Sequence, residues 1–366
     1  MHFVRNTGPR VEGERHKEPS VTSIREILSP RSVVAFLLIP AAAAPLAFAG
    51  SDYGDKDFSV RLPPAFIRFT EVSAMGGETA ANRMSSAVNP AAAGWLELPS
   101  KYGLVVAPYY SGVSFHSGTN LHVAGESLTW DSKTWGTFQP VMSQMRTNWD
   151  TNRLGLNFKY DVDTCLLTWG KRFGKAGFGA SISFSEARIL NKLGSMRVCE
   201  SHAENYRFRF GGLYEPVEKW LAGLVFEYGF SPYRTEALVL TPMGPLSVHM
   251  NGTEEHYILR PGISYEYAKL STVYLDYQYG HFRTDRDYLQ SDRFSAGVDH
   301  RLLDWLWVRG GAFFDARGNM GWTAGATAFP AEWCSVSVGY QYDMYPELRP
   351  EFGRANTVQI TFSVRF

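Results

Sequence analysis

Four arginines lie at alternating positions of segments with the period-two pattern of β-strands, and they are the clearest chemical feature of the chain. They are Arg207, Arg209, Arg260 and Arg309. A guanidinium group forms strong charge-assisted hydrogen bonds with a carboxylate. The same polar faces also carry acidic and amide groups, namely Glu227, Glu266, Asp276 and Gln278. Two interpretations therefore stay open: a basic patch that binds an anionic ligand, or a neutralising network that stabilises the fold.

Signals of catalysis are weak. No Gly-x-Ser-x-Gly nucleophile motif is present, and the three cysteines have no Cys-x-x-Cys spacing. Three histidines near predicted strand ends are interpreted as interfacial or loop groups: His256, His281 and His300. The 36 Lys and Arg residues balance 36 Asp and Glu residues, so no basic surface for nucleic acid is expected. We predict that the protein is not an enzyme and uses no metal or other cofactor.

The arginines belong to a long series of alternating segments that begins near residue 101. Runs such as Phe178–Phe184 and Trp220–Phe230 place apolar side chains on one parity and polar or small ones on the other. Each run has roughly the length that a tilted strand needs to cross a bilayer, and aromatic residues gather at the run ends. We predict an all-β fold, a membrane-spanning antiparallel barrel of about 14 strands over residues 101–366.

Three places in this series are irregular. Lys133–Asp150 is polar and is interpreted as a connection, and Asp161–Asp163 as a tight turn between two strands. The apolar parity also changes after Pro108, which predicts a strand kink there and makes that position the candidate for a lateral opening.

The final segment, Asn356–Phe366, has one wholly apolar and one wholly polar face. Taken alone, it fits the last strand of a soluble sandwich as well as the closing strand of a membrane barrel. Together with the preceding runs it favours the barrel, whose outer face contacts membrane lipid. A terminal strand ending in Phe366 also resembles the signal by which bacterial outer-membrane barrels are recognised by the barrel-assembly machinery.

The leader predicts export. Arg25 and Arg31 precede an apolar run, Ser32–Gly50, that contains the small-x-small site Ala47–Ala49. This is the pattern of a secretory signal peptide, here with an unusually long polar start, so residues 1–49 are assigned to it. Residues 50–100 are a separate N-terminal segment. With the predicted barrel, the leader indicates the bacterial outer membrane.

One motif in this N-terminal segment resembles a known family. Gly76 and Gly77, followed by Asn89, Pro90 and Ala91, are similar to the N-terminal plug of the FadL/TodX-type outer-membrane transporters. Two extra alanines interrupt the Pro-Ala-Gly order usual in that family. The resemblance implies that residues 50–100 fold into the barrel as a plug.

The resemblance also implies a function. Members of that family carry hydrophobic compounds, such as long-chain fatty acids or aromatic hydrocarbons, passively across the outer membrane. The implied partner is thus a hydrophobic small molecule or fatty acid. Two alternatives remain: a barrel of the same fold that serves as an accessory subunit of a secretion or assembly system, and a general porin. A transporter is expected to have an apolar path inside the barrel.

Overall fold

The computed structural model describes residues 80–83, 86–96, 102–147, 150–151, 157–241, 244–283, 288–343, 346 and 349–366. The predicted signal peptide, Gly76 and Gly77 lie outside these residues. The described part consists of β-strands, a 3₁₀ helix at Pro90–Trp95 and a single helical turn at Arg349–Phe352. None of its helices is long and apolar enough to cross a membrane.

The strands, in chain order, are β1 (Leu104–Phe115), β2 (Asn120–Ser132), β3 (Gly136–Thr147), β4 (Asp150–Thr151), β5 (Asn157–Phe173), β6 (Ala176–Leu193), β7 (Met196–Tyr214), β8 (Trp220–Thr241), β9 (Gly244–Ala268), β10 (Ser271–Arg283), β11 (Tyr288–Leu303), β12 (Leu306–Asp315), β13 (Met320–Ala331), β14 (Cys334–Tyr342) and β15 (Ala355–Arg365). All pairings between them are antiparallel.

The sheet closes on itself. Consecutive long strands pair in order, the first pairs with the last through Val105 and Arg365, and β3 pairs with β5 past the two-residue β4. Closure satisfies the backbone groups that an open sheet would expose at its edges. The structure confirms the predicted fold class, a closed 14-strand antiparallel barrel.

Alternation along most strands separates an apolar exterior from an interior that is largely polar. On β15, Val358, Ile360 and Phe362 are exposed on the outside, whereas Thr357 and Gln359 are buried inside. The end that carries Phe366 and the short turns is called the lower end, and the end with the longer hairpins the upper end. Exposed aromatic rings circle the lower end as an interfacial belt: Tyr102, Trp135, Phe173, Tyr214, Trp220, Trp305, Trp333 and Phe366.

Two strand predictions were wrong, and the two errors cancel in the number of strands. Gly136–Thr147, expected to be part of a connection, is β3, and a short turn at residues 133–135 joins it to β2. The expected turn at Asp161–Asp163 instead lies within β5, which runs unbroken to Phe173. One strand was missed and one was divided, so the predicted total was still right.

The parity change after Pro108 has a different cause from the one expected. The register of β1 against both neighbours is constant, so no residue is inserted or lost. The inward positions of β1 are the odd-numbered ones throughout, so Val113 and Phe115 face inward, where they join an apolar region of the upper interior. Pairing between β1 and β15 is nevertheless interrupted at Ala107 and Pro108, where proline supplies no N–H donor. The kink proper stays a prediction.

Two long segments at the upper end are largely strand. Ala187–Glu204 is the upper part of the β6–β7 hairpin, and Ser231–His256 that of the β8–β9 hairpin. These hairpins continue past the apolar outer face, as the outward positions change from Phe184 to Glu186 and Arg188. The barrel wall therefore projects above the lipid band on this side.

Candidate functional site

The interior of the barrel holds part of the N-terminal segment. This inner segment, defined as residues 80–83 and 86–96, includes the 3₁₀ helix Pro90–Trp95, which packs against β3, β5, β6 and β7. Proline at the first helical position fixes φ and costs no hydrogen bond there. Asn89 precedes it as the N-cap in an extended conformation.

Asn89 connects the inner segment to itself and to the wall. Its Oδ1 accepts a hydrogen bond from the N–H of Ala91 at 3.0 Å. Its Nδ2 donates to the carbonyl oxygens of Ala80 at 2.6 Å and of Gly212 at 3.0 Å. The side chain is fully buried, so these bonds replace those it would make with water. Of the motif residues predicted for the plug, Asn89, Pro90 and Ala91 thus lie inside the barrel.

A row of glycines in the wall makes room for this segment. Gly170 pairs with Gly179, and Gly179 pairs with Gly211, so the three lie side by side on β5, β6 and β7. A Cβ at any of them would lie less than 3.0 Å from an atom of Asn89 or Pro90. Only glycine permits so close an approach of two backbones.

Other wall groups bind the inner segment through its backbone. Asp276 Oδ1 accepts from the N–H of Ala80 at 2.6 Å, and Ser264 Oγ donates to the carbonyl oxygen of Ala81 at 2.7 Å. Arg209 donates to the carbonyl oxygen of Ala87. Because these contacts come from different strands, the inner segment is held from several sides of the barrel.

Trp95 ends the helix near the lower opening. The guanidinium carbon of Arg172 lies 3.8 Å from the centroid of its ring, and that of Arg83 lies 5.0 Å away. Glu215 approaches both cations, at 3.1 Å from Arg83 and 3.8 Å from Arg172. This cation–π arrangement anchors the C-terminal end of the helix to the lower ends of β5 and β7.

Above the inner segment, three basic side chains surround the carboxylate of Glu227. Its Oε2 accepts from Arg209 Nε at 2.6 Å, and its Oε1 lies 3.4 Å from Arg207 Nη1 and 3.3 Å from His256 Nε2. The carboxylate is almost fully buried. Two of the four arginines considered for ligand binding are therefore held by an acidic partner, which agrees with the neutralising network.

The other two of the four arginines have different partners. Arg260 on β9 donates to Gln278. Arg309 on β12 donates to Thr327 and lies 3.4 Å from Asp299, measured from Nε to Oδ1. His256, expected at an interface or in a loop, instead points inward from within β9, where it approaches Glu227.

The upper interior is apolar on the side formed by the first strands. Tyr160, Val162 and Leu166 of β5 face Ala187 and Ile189 of β6 in one buried cluster. The remaining members come from strands β1, β2, β3, β7, β12 and β15 and from the helical turn Arg349–Phe352: Tyr109, Val113, Phe115, Leu121, Val123, Val141, Met145, Ala203, Phe313, Phe352 and Ala355, with Tyr233 packed against them. We call this set the upper apolar cluster. It makes the upper interior of the barrel apolar on this side.

A cavity of about 140 Å³ lies between the inner segment and the opposite wall. Most of its lining residues are polar or charged by type, but the surface that they turn toward the cavity is mainly apolar. The lining residues are Ser86, Leu96, Val105, Ala107, Ser127, Thr129, Gln139, Arg309, Thr327, Phe329, Ser335, Thr361, Ser363 and Arg365.

Sequence reasoning overlooked the glycine row and Asp299. The glycines could have been found, since Gly170, Gly179 and Gly211 all fall on the inward parity of neighbouring strands. Asp299 had no distinguishing signal, because its importance depends on the register that brings it beside Arg309. Among the described residues, no group of three or more His, Cys, Asp or Glu is arranged to hold a metal ion.

Comparison with known proteins identifies the fold of the chain. No family model matches the chain, and no curated protein matches it. Solved structures do match: CymD, a monoaromatic hydrocarbon channel, has a TM-score of 0.57 and 13% identity, covering 82% of this chain and 97% of that one. The Ralstonia pickettii toluene transporter TbuX has a TM-score of 0.54 and 14% identity, with coverages of 82% and 98%. The Pseudomonas putida toluene transporter TodX has a TM-score of 0.51 and 12% identity, with coverages of 81% and 96%. The chain has the fold of FadL-type hydrocarbon channels, which confirms the resemblance at that level.

Proposed function

We propose that the protein is a passive transporter of small hydrophobic compounds in the bacterial outer membrane, with monoaromatic hydrocarbons as the favoured class. The upper apolar cluster is the observation on which this rests. A polar lumen is the rule for a water-filled pore, whereas here Val113, Val162 and Ile189 turn apolar groups inward. Long-chain fatty acids are the second candidate class.

The proposed path begins at the upper end. A hydrophobic ligand leaves water, where its apolar surface is unfavourable, and contacts the upper apolar cluster. The inner segment acts as the plug below this cluster and prevents an open aqueous pore. The interrupted pairing at Ala107 and Pro108 is the candidate for a lateral exit into the membrane. No energy source takes part, since the ligand moves down its own gradient.

Membrane placement follows from the same geometry. The exposed apolar exterior contacts outer-membrane lipid, and the aromatic belt at the lower end lies at the periplasmic interface. Phe366 is exposed at the lower end and is available to the barrel-assembly machinery as a recognition signal.

The test uses two neighbouring positions on β5 that face opposite sides. Val162 is buried in the upper apolar cluster, whereas the Asp163 side chain is 58% exposed on the outside. Val162→Asn places an amide in the ligand path, and Asp163→Asn changes only an exposed ion pair with Arg146. Uptake of radiolabelled toluene and of radiolabelled oleate by cells that express each variant is the measurement.

We expect Val162→Asn to lower uptake of the carried compound at equal amounts of folded protein, and Asp163→Asn to leave it near the wild-type rate. Which of the two compounds responds identifies the class. Conductance in planar bilayers separates the porin alternative, because a general porin passes small ions freely. Uptake of both compounds equal to that of cells without the protein would contradict the proposal.

A further inference from the structure

The cavity beside the inner segment differs in chemistry from the upper apolar cluster. It lies toward the lower end, between the helix that ends at Trp95 and the wall formed by β1, β2, β3 and β12–β15. Hydroxyl groups of Ser127, Thr129 and Ser335 and the amide of Gln139 line it. Together with the apolar surface of Val105, Ala107 and Phe329, such a wall suits a ligand that has both an apolar and a polar part, since polar groups deprived of water need hydrogen-bond partners.

Arg309 gives this cavity an unused donor. The residue is only 2% exposed and belongs to the lining of the cavity. Nη1 donates to Thr327, but Nη2 has no hydrogen-bond partner among the described residues. Asp299, at 3.4 Å from Nε, compensates part of the charge. A buried guanidinium N–H without a partner is uncommon, because leaving it unsatisfied is costly.

A second cation lies nearer the lower opening. Arg365 on β15 also lines the cavity, and its guanidinium carbon lies 5.4 Å from the ring centroid of Phe329. Among the described residues, the lining holds two cations, Arg309 and Arg365, and Asp299 beside Arg309 contributes one negative charge. The lining therefore favours one additional anion.

We propose that this cavity binds a small organic carboxylate of about one aromatic ring in size. The carboxylate accepts hydrogen bonds from Arg309 and from neighbouring hydroxyl groups, and the ring packs against Val105, Ala107 and Phe329. A volume of about 140 Å³ limits the ligand to about one aromatic ring, since a cavity of about 150 Å³ holds benzene. The proposal goes beyond hydrocarbon transport and does not depend on it.

Benzoate and benzamide are the probes, because they share size and ring but differ in charge. Binding of each to the purified full chain in detergent micelles is measured by isothermal titration calorimetry. We expect saturable benzoate binding that is at least about tenfold tighter than benzamide binding, as a charge-assisted hydrogen bond to arginine predicts.

Two variants test the role of Arg309. Arg309→Gln removes the cation but leaves Asp299 buried, so the double variant Arg309→Gln with Asp299→Asn removes both charges together. Each is expected to abolish the preference for benzoate over benzamide. Arg293→Gln is the matched control, since Arg293 is another buried inward arginine of β11 and does not line the cavity.

A third variant tests the space rather than the charge. Ala107→Phe fills the cavity from β1 and leaves both arginines in place, so it is expected to prevent binding of either probe. Heat-dependent mobility in gels verifies that each barrel is folded.

The titration of the wild-type protein with benzoate is the first test of the proposal. Absence of saturable benzoate binding would overturn the proposal, whatever the variants do. So would a benzoate preference that survives in both charge variants, or benzoate binding unchanged by Ala107→Phe. Toluene uptake is measured in parallel, so that a failure of the carboxylate site is distinguished from a failure of the transport proposal.

Discussion

Gly211 lies directly against the carboxamide of Asn89, so close that a Cβ on the glycine would overlap Oδ1. Asn89 at the same time donates to the carbonyl oxygen of the adjacent Gly212. The wall strand β7 thus both leaves space for the N-cap of the inner segment and binds it. The position of the inner segment therefore depends on this pair as well as on the charged groups of Asp276 and Arg209.

Gly211→Ala is expected to displace the inner segment and to destabilise the protein by about 1–3 kcal/mol, as overpacking does in a filled interior. Gly212→Ala is the matched control, because a Cβ there meets no atom within 4 Å. Ion conductance in planar bilayers and the thermal unfolding midpoint are the measurements. Equal conductance of the two variants would show that this contact does not keep the barrel closed.

Arg209→Gln tests the charge network. The change leaves Glu227 with fewer cations and removes the hydrogen bond to the carbonyl oxygen of Ala87. Loss of one partner from a buried ion pair costs about 3–5 kcal/mol, so a clear loss of stability is expected. Uptake per folded molecule is expected to change little, measured with the same labelled toluene. A fall in uptake without a fall in stability would instead favour a ligand role for Arg209.

Pro108→Ala tests the candidate lateral opening. An alanine supplies the missing N–H, so pairing with β15 becomes possible and stability is expected to rise by about 1 kcal/mol. If ligand leaves by this seam, uptake falls. Pro261→Ala is the comparison, because pairing of β9 with β10 is interrupted at Pro261 in the same way. An equal fall in uptake for both variants would argue against an exit at β1.

The upper hairpin of β6 and β7 is expected to weaken in acid. Burial raises the pKa of Glu200, but hydrogen bonds from Arg188 and His202 and the charges of Arg188 and Arg197 outweigh it, and the pKa lies below its usual value. A carboxyl group with a lowered folded-state pKa stabilises the fold above its unfolded pKa of about 4.3 and loses that contribution as the pH falls further.

Hydrogen exchange of the hairpin amides between neutral pH and pH values below about 4 measures this loss. In Glu200→Gln the acid-dependent part is expected to disappear, while Glu204→Gln, a change at an exposed outward position of the same strand, is expected to keep it. Identical pH profiles for the two variants would contradict the assignment.

The sequence was sufficient to predict the barrel but not the chemistry of its interior. Period-two alternation predicts strands wherever the apolar parity stays constant, as in β14 and β15. On β5 the inward residues Tyr160 and Val162 and the outward residues Cys165 and Leu167 are all apolar, so the parity exchanges within one strand and imitates a turn. The sequence of one strand does not show whether the lumen beside it is water-filled or apolar, because the lumen is also lined by strands far away in the chain.

The candidate site was predictable only in part. The motif around Asn89 pointed to a segment inside the barrel, and the inward parity of the arginines was right. Their partners could not be predicted, because Glu227 meets Arg209 only through the pairing of β7 with β8. Which arginine keeps an unused donor, here Arg309, depends on such pairings all around the barrel.

The closure of β1 against β15 has a consequence for the order of assembly. Nearly every other pairing joins strands adjacent in the chain, and such local hairpins form early, whereas the β1–β15 contact joins the two ends of the barrel sequence and comes late. The inner segment precedes β1 and bonds to β3, β7, β9 and β10. If it binds those strands while the sheet is still open, it serves as a template that brings distant strands together before the last seam forms.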